Sequence, residues 1–268
     1  MPASVRAAVC RRPSLPVRIS PEDVREKVRE SGGPPTVVLV LDLSESMSLV
    51  RRELSEVLSR MYRELSSRKM RIGVVGLRED GAFVVCHPTD VSSASRAISS
   101  LEVSGLTPLA SGLAEALRMA SAEALRRPGS DVVVAVLTDG YPNVPLSGGS
   151  LLVTREQRER AFEDAVEASL ALRRAGVRSL FINPDPVASA HRLSPSEARL
   201  IYAASLDGSG RFSARLFERA VSRLKDPFAV GSALTAVMAL AAGGEYSTPS
   251  SPGEIGELLR RALPSSRP

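Results

Sequence analysis

Three short stretches of this 268-residue chain carry oxygen-bearing side chains in an order suited to holding a hard cation. They are Asp42-Leu43-Ser44-Glu45-Ser46, Ser104-Gly105-Leu106-Thr107-Pro108-Leu109 and Leu137-Thr138-Asp139-Gly140. Asp42 and Asp139 offer carboxylates, and Ser44, Ser46 and Thr107 offer hydroxyls. A small divalent cation takes about six oxygen ligands at about 2.1 Å, and Mg²⁺ keeps some of its water. An Asp-x-Ser-x-Ser loop leaving a strand can turn all three side chains towards one point. Hydroxyls are neutral, so an ion held this way keeps unspent positive charge and would accept an external carboxylate at an open position. The expected ion is a hard divalent cation bound through oxygen, Mg²⁺, Mn²⁺ or Ca²⁺.

The elements that must position these residues are legible in the hydrophobic pattern. Thr36-Val-Val-Leu-Val-Leu41 and Asp131-Val-Val-Val-Ala-Val-Leu137 are uninterrupted apolar runs, the pattern of strands buried on both faces of a parallel sheet. One delivers Asp42 at its end and the other delivers Asp139. Val50, Leu54, Val57, Leu58, Met61 and Leu65 follow helical spacing, as do Leu109, Leu113, Ala116, Leu117 and Ala120. Residues 71–77 and 82–86 read as a hairpin around Glu79-Asp80-Gly81. A helix is expected over 155–174 and a strand over 177–182. Strands alternating with helices predict an α/β fold, a Rossmann-like, doubly wound, mostly parallel sheet. In such sheets ligands bind at the carboxyl ends of the strands, where all three stretches fall.

Two flanking regions depart from that rhythm. Residues 1–35 read as an N-terminal arm and a short charged helix opening at Ser20-Pro21-Glu22-Asp23. Residues 36–268 form the main domain, with a helical insertion expected at about 186–242. Within it, Ser194-Pro195-Ser196-Glu197 is a capping box, Asp207-Gly208-Ser209-Gly210 a turn, and 212–224 and 228–242 helices. A last strand, Glu245 to Thr248, and a helix over 253–262 follow.

Composition removes several function classes. Two cysteines and two histidines cannot make a disulfide scaffold, and a closed zinc site would use all four. Few thiols suit a reducing compartment, so a cytoplasmic location is expected. No apolar run reaches the roughly 18 residues of a membrane span. The net charge is +5, but Arg alternates with Glu as on a solvated helix surface, and aromatics are 4%, a thin supply of base-stacking platforms. Nucleic acid is therefore an alternative partner rather than the expected one. Catalysis is disfavoured too. A haloacid-dehalogenase-type phosphohydrolase needs an acid where Ser44 stands, and no G-x-S-x-G nucleophile elbow occurs. Carboxamides are scarce: Asn143, Gln157 and Asn183 are the only three, a scarcity typical of heat-stable proteins.

The three stretches resemble the metal-ion-dependent adhesion site (MIDAS) of von Willebrand factor A (vWA) domains. The run GVVGLREDGAFVVCHPTDVSSASRAISSLEVSGLTPLASGLAEAL is similar to the A domain in the D subunit of magnesium chelatase and its cobalt-chelatase relatives. The resemblance implies a sheet of strand order 3-2-1-4-5-6 with one antiparallel edge strand. It implies that Ser44 and Ser46 ligate Mg²⁺ directly, Thr107 directly or through water, and Asp42 and Asp139 mainly through water. A partner protein would supply the remaining ligand, an Asp or Glu. Glu45 stands where that family usually has Gly, and Ser104 and Leu106 replace a Gly and a polar residue. In chelatases the D subunit works beside an AAA+ ATPase and a large catalytic subunit. This chain contains no G-x-x-x-x-G-K-[ST] loop. The expectation is thus a Mg²⁺-dependent protein–protein interaction module. Its expected role is that of an accessory to a separate AAA+ ATPase of MoxR or chelatase type. RNA- or DNA-associated function and metal-dependent hydrolysis are the alternatives.

Overall fold

The structure, a computed structural model, describes residues 9–11, 17, 20, 33–44, 47, 56–60, 62–78, 81–102, 105–148, 153–185, 188, 193–222 and 227–262. The charged helix expected from Ser20 lies outside the described residues, as do Ser46, Glu45 and Ser104. By its internal contacts the chain divides into Met1–Gly32 and Gly33–Pro268, and the fold below is that of the second unit.

Six strands form one sheet in the order β3-β2-β1-β4-β5-β6. They are β1 (Thr36–Asp42), β2 (Arg71–Arg78), β3 (Gly81–Thr89), β4 (Val132–Leu137), β5 (Arg178–Ile182) and β6 (Glu245–Ser247). β1 pairs in parallel with both β2 and β4, in a register that sets Leu41 beside Gly76 on one side and Leu137 on the other. β4, β5 and β6 continue in parallel. β3 closes the opposite edge as the antiparallel half of the hairpin with β2. The order and the single antiparallel edge are those the resemblance implied.

The helices are α1 (Tyr62–Ser67), α2 (Val91–Ser99), α3 (Leu109–Arg126), α4 (Arg155–Arg174), α5 (Pro195–Ala204), α6 (Ala214–Val221), α7 (Pro227–Ala242) and α8 (Pro252–Ala262). Successive side chains of a strand point to opposite faces, so a strand apolar at every position needs a covering layer on each side. Val38, Val40, Val134, Val136 and Phe181 meet α3, α4, α6 and α7 on one face. Val37, Leu39, Leu41, Ala135, Leu180 and Ile182 meet Leu65, α2 and α8 on the other. The sheet is therefore doubly wound.

Local chemistry sets the helix ends. Thr154 caps α4 by accepting from the Gln157 amide, and Ser194 with Glu197 forms the expected capping box of α5. α2 had no counterpart in the hydrophobic reading. Its inward residues, Val91, Ala94, Ser95 and Ile98, have helical spacing but are mostly small, and Asp90 caps it through the Ser93 amide. α7, Ala-rich, is buried over most of residues 229–242 against α4, α5, β5 and β6 and lies in the crossover between β5 and β6. Among the described residues no helix is long and apolar enough to cross a membrane.

Candidate metal site

The strand order reverses direction between β1 and β4, and loops leaving neighbouring strands diverge at such a point to open a crevice. Asp42 is the last residue of β1. Asp139 follows β4 by two residues. The Thr107 loop enters the same place from the start of α3. Four of the five residues expected to gather there are described, and the fifth, Ser46, lies outside the described residues.

Asp42 is the hub. It is 2% exposed, and both of its oxygens are engaged. Oδ1 accepts from the Ser44 amide at 3.0 Å and from Thr107 Oγ1 at 3.3 Å, a contact spanning 65 positions of sequence. Oδ2 accepts from Thr138 Oγ1 at 2.9 Å. Thr107 is itself 2% exposed. The Asp139 carboxylate turns its own loop by accepting from the Tyr141 amide at 3.1 Å, and it is close enough to Asp42 for the two charges to act on each other.

The electrostatics follow from that placement. The Asp42 carboxyl is pushed up from its ordinary value of 3.8 to about 6. Burial is the larger cause and the Asp139 charge the second. Hydrogen bonds from Ser44 and Thr138 oppose both. Two mutually repelling carboxylates, one of them desolvated, beside three hydroxyl-bearing residues make a donor set that fits a hard cation. Among the described residues no three His, Cys, Asp or Glu side chains cluster. A softer, zinc-type centre has no counterpart among them.

Thr138 was not among the residues singled out from sequence. Its amide donates to Ile182 O at 3.1 Å, prolonging the β4–β5 ladder, while its hydroxyl bonds Asp42 and also receives the Gly140 amide at 3.1 Å. The readable signal for Thr138 was a hydroxyl at a fully buried strand end, which must find a partner.

A family sequence profile described as the von Willebrand factor type A domain matches residues 35–168, half of the chain. The chain belongs to this family. The vWA profile takes in Asp42, Thr107 and Asp139 together with the strands that carry them. Among curated relatives, the chain is 28% identical over 184 residues to the magnesium-chelatase 60 kDa subunit of Cereibacter sphaeroides, covering 68% of this chain and 31% of that one. It is 32% identical over 128 residues to an uncharacterized Mycobacterium tuberculosis protein, covering 47% of this chain and 20% of that one. The chain thus spans a third or less of the length of these relatives. Among solved structures, the open conformation of the pilus adhesin SpaC from Lactobacillus rhamnosus GG superimposes with a TM-score of 0.51 at 14% identity. It covers 85% of this vWA chain and 29% of the adhesin, a likeness of fold.

Proposed function

We propose that this vWA protein is a Mg²⁺-dependent protein–protein interaction module whose MIDAS captures a carboxylate of a partner. The observation that carries the reading is the convergence on Asp42 of hydroxyls from two other segments, Thr107 and Thr138, beside the repelling carboxylate of Asp139. Ser44 and Ser46 would hold the ion directly, Thr107 directly or through water, and Asp42 and Asp139 would act on it mainly through water. When bound, the ion supplies a Lewis-acidic position for one further oxygen ligand. The chain's own residues do the rest. Thr138 and the Ser44 amide hold the Asp42 carboxylate by both oxygens, and burial of Asp42 and Thr107 keeps the local dielectric low.

The partner proposed is an AAA+ ATPase of chelatase or MoxR type that presents an Asp or Glu, in keeping with the relationship to the magnesium-chelatase 60 kDa subunit. The setting proposed is cytoplasmic. The test is co-elution of the purified protein with a chelatase-type AAA+ ATPase in Mg²⁺ and in EDTA. The reading predicts a complex that forms in Mg²⁺, dissolves in EDTA and is lost with Asp42→Ala. A complex indifferent to EDTA and to that substitution would contradict it.

A further inference from the structure

The chain holds only three carboxamide side chains in 268 residues, and all three are wired to the candidate site. Asn143 Oδ1 accepts from the Thr107 amide at 2.8 Å, and the Asn143 amide donates to Thr107 O at 3.2 Å. Gln157, in the first turn of α4, donates from Nε2 to Asn143 O at 3.1 Å, so α4 backs the same loop. Asn183, just past the end of β5 and 1% exposed, donates from Nδ2 to Asp139 O at 3.1 Å. Its other side-chain atom accepts from the Asp185 amide at 3.1 Å, and its own amide donates to Ser247 O of β6 at 3.0 Å.

We infer that Asn143, Gln157 and Asn183 are positioning residues, which fix Thr107 and Asp139 by their main-chain atoms and so leave the two side chains for the ion. The inference rests on the metal-binding reading above. Its physical logic is one of charge. A carboxamide both donates and accepts while carrying none. An Arg or Lys in the same place would put a permanent cation beside the ion. An acid donating nothing could not hold the Asp139 carbonyl. Asn183 uses both functions, donating to the Asp139 carbonyl and accepting from Asp185, while Asn143 supplies an acceptor and Gln157 a donor.

A backstop of shape acts beside Asn183. Gly140 has φ of +85°, and a Cβ on it would strike the Gly231 carbonyl and Thr235 of α7. A Cβ on Gly231 would strike the Asp139 carbonyl and the Tyr141 ring. Ala is favoured over Gly inside a helix by about 1 kcal/mol, so Gly231 answers to this contact rather than to helix formation. The Asp139 carbonyl thus takes a hydrogen bond from Asn183 and lies against Gly231 of α7, and Asn183 Nδ2 also reaches Ser232 Oγ of the same helix at 3.5 Å.

The experiment measures Mn²⁺ affinity by titration calorimetry in the whole chain for Asn143→Ala, Asn183→Ala, Asn143→Asp and Asn183→Asp. Leu172→Ala, a fully buried core change in α4, is the control for lost stability. Amide hydrogen exchange at Thr107, Gly140 and Tyr141 is followed in the same variants. Both alanine variants are expected to weaken Mn²⁺ at least tenfold and to speed exchange at those amides, while Leu172→Ala lowers the melting temperature and does neither. The two aspartates should differ. Asn143→Asp keeps the accepting oxygen and stays within threefold of wild type, whereas Asn183→Asp loses the donor and falls with its alanine counterpart. Alanine variants that keep wild-type affinity and exchange would overturn the inference. If the wild type itself binds neither Mn²⁺ nor Mg²⁺, the metal reading fails. The exchange data then decide the positioning claim alone, unchanged rates overturning it and selectively faster rates sustaining it.

Discussion

Asp42 and Asp139 close neighbouring parallel strands at the point where the sheet reverses its order, near enough that the charge of one raises the proton affinity of the other. Burial of Asp42 and, second to it, this repulsion give the metal-free protein a distinctive response to pH. The folded Asp42 carboxyl stands at about 6 against an ordinary 3.8, so the folded state binds its proton more tightly than the unfolded state does. Its contribution to stability is therefore least above pH 6, grows as pH falls from 6 towards 4, and is complete below. Melting in EDTA should show wild type gaining stability between pH 7 and pH 5, on the order of 1 kcal/mol from this group. Asp42→Asn should start higher at pH 7 and lack that gain. Metal affinity should run the other way, weakening below pH 6 as protons compete for Asp42. A wild type and an Asp42→Asn variant with parallel profiles would show that Asp42 does not carry a raised proton affinity in the folded state.

Thr138 tests whether the hub needs its second hydroxyl. Thr138→Val preserves shape but leaves Asp42 Oδ2 and the Gly140 amide without the partner they have now. The expected cost is about 1–3 kcal/mol of stability, as for any buried polar group left unsatisfied. Metal affinity should fall roughly tenfold, a loss of about 1.4 kcal/mol. Thr138→Ser should recover most of both. Calorimetry with thermal melts in EDTA separates the two effects, and a valine variant with wild-type affinity would remove Thr138 from the site.

Much of this architecture can be read from the sequence because burial on both faces writes itself into composition. β1 and β4 are apolar at nearly every position, and that pattern together with their polar ends places Asp42 and Asp139 at one edge of the sheet. Long helices with large inward residues, such as α4 with Phe162 and Val166, are equally plain. What escapes is whatever depends on small or neutral residues. α2 buries Ala94 and Ser95, which leave almost no hydrophobic signature. Gly231 and Asn183 matter for contacts with Asp139 across 92 and 44 positions of sequence, a tertiary fact that no local pattern encodes. Thr138 was hidden by its charged neighbour.

The outer helices should be separable from the site. Phe217 of α6 is fully buried, with its ring edge-on to Phe162 of α4 at 6.0 Å between centroids and a second contact to Phe212 at 5.8 Å. Phe217→Ala should cost about 3–5 kcal/mol by chemical denaturation, the usual range for emptying a packed aromatic position. Metal affinity at a temperature where the variant remains folded should stay within twofold of wild type, because α6 is tied to α4, through Ala214 to Glu163 and Arg215 to Glu159, rather than to the strand ends. A joint loss of stability and affinity would mean that the helical layer and the strand ends respond as one unit.

Isothermal titration calorimetry of Mg²⁺ and Mn²⁺, at pH 7.5 on wild type, Asp42→Ala and Thr107→Ala, is the decisive measurement. The wild type should take up one ion per chain, and neither variant should give measurable heat. At an ion concentration 100 times the dissociation constant the wild type alone should gain about 2.7 kcal/mol of stability. A wild type that takes up neither ion, or variants that bind as the wild type does, would contradict a metal site at Asp42 and Thr107.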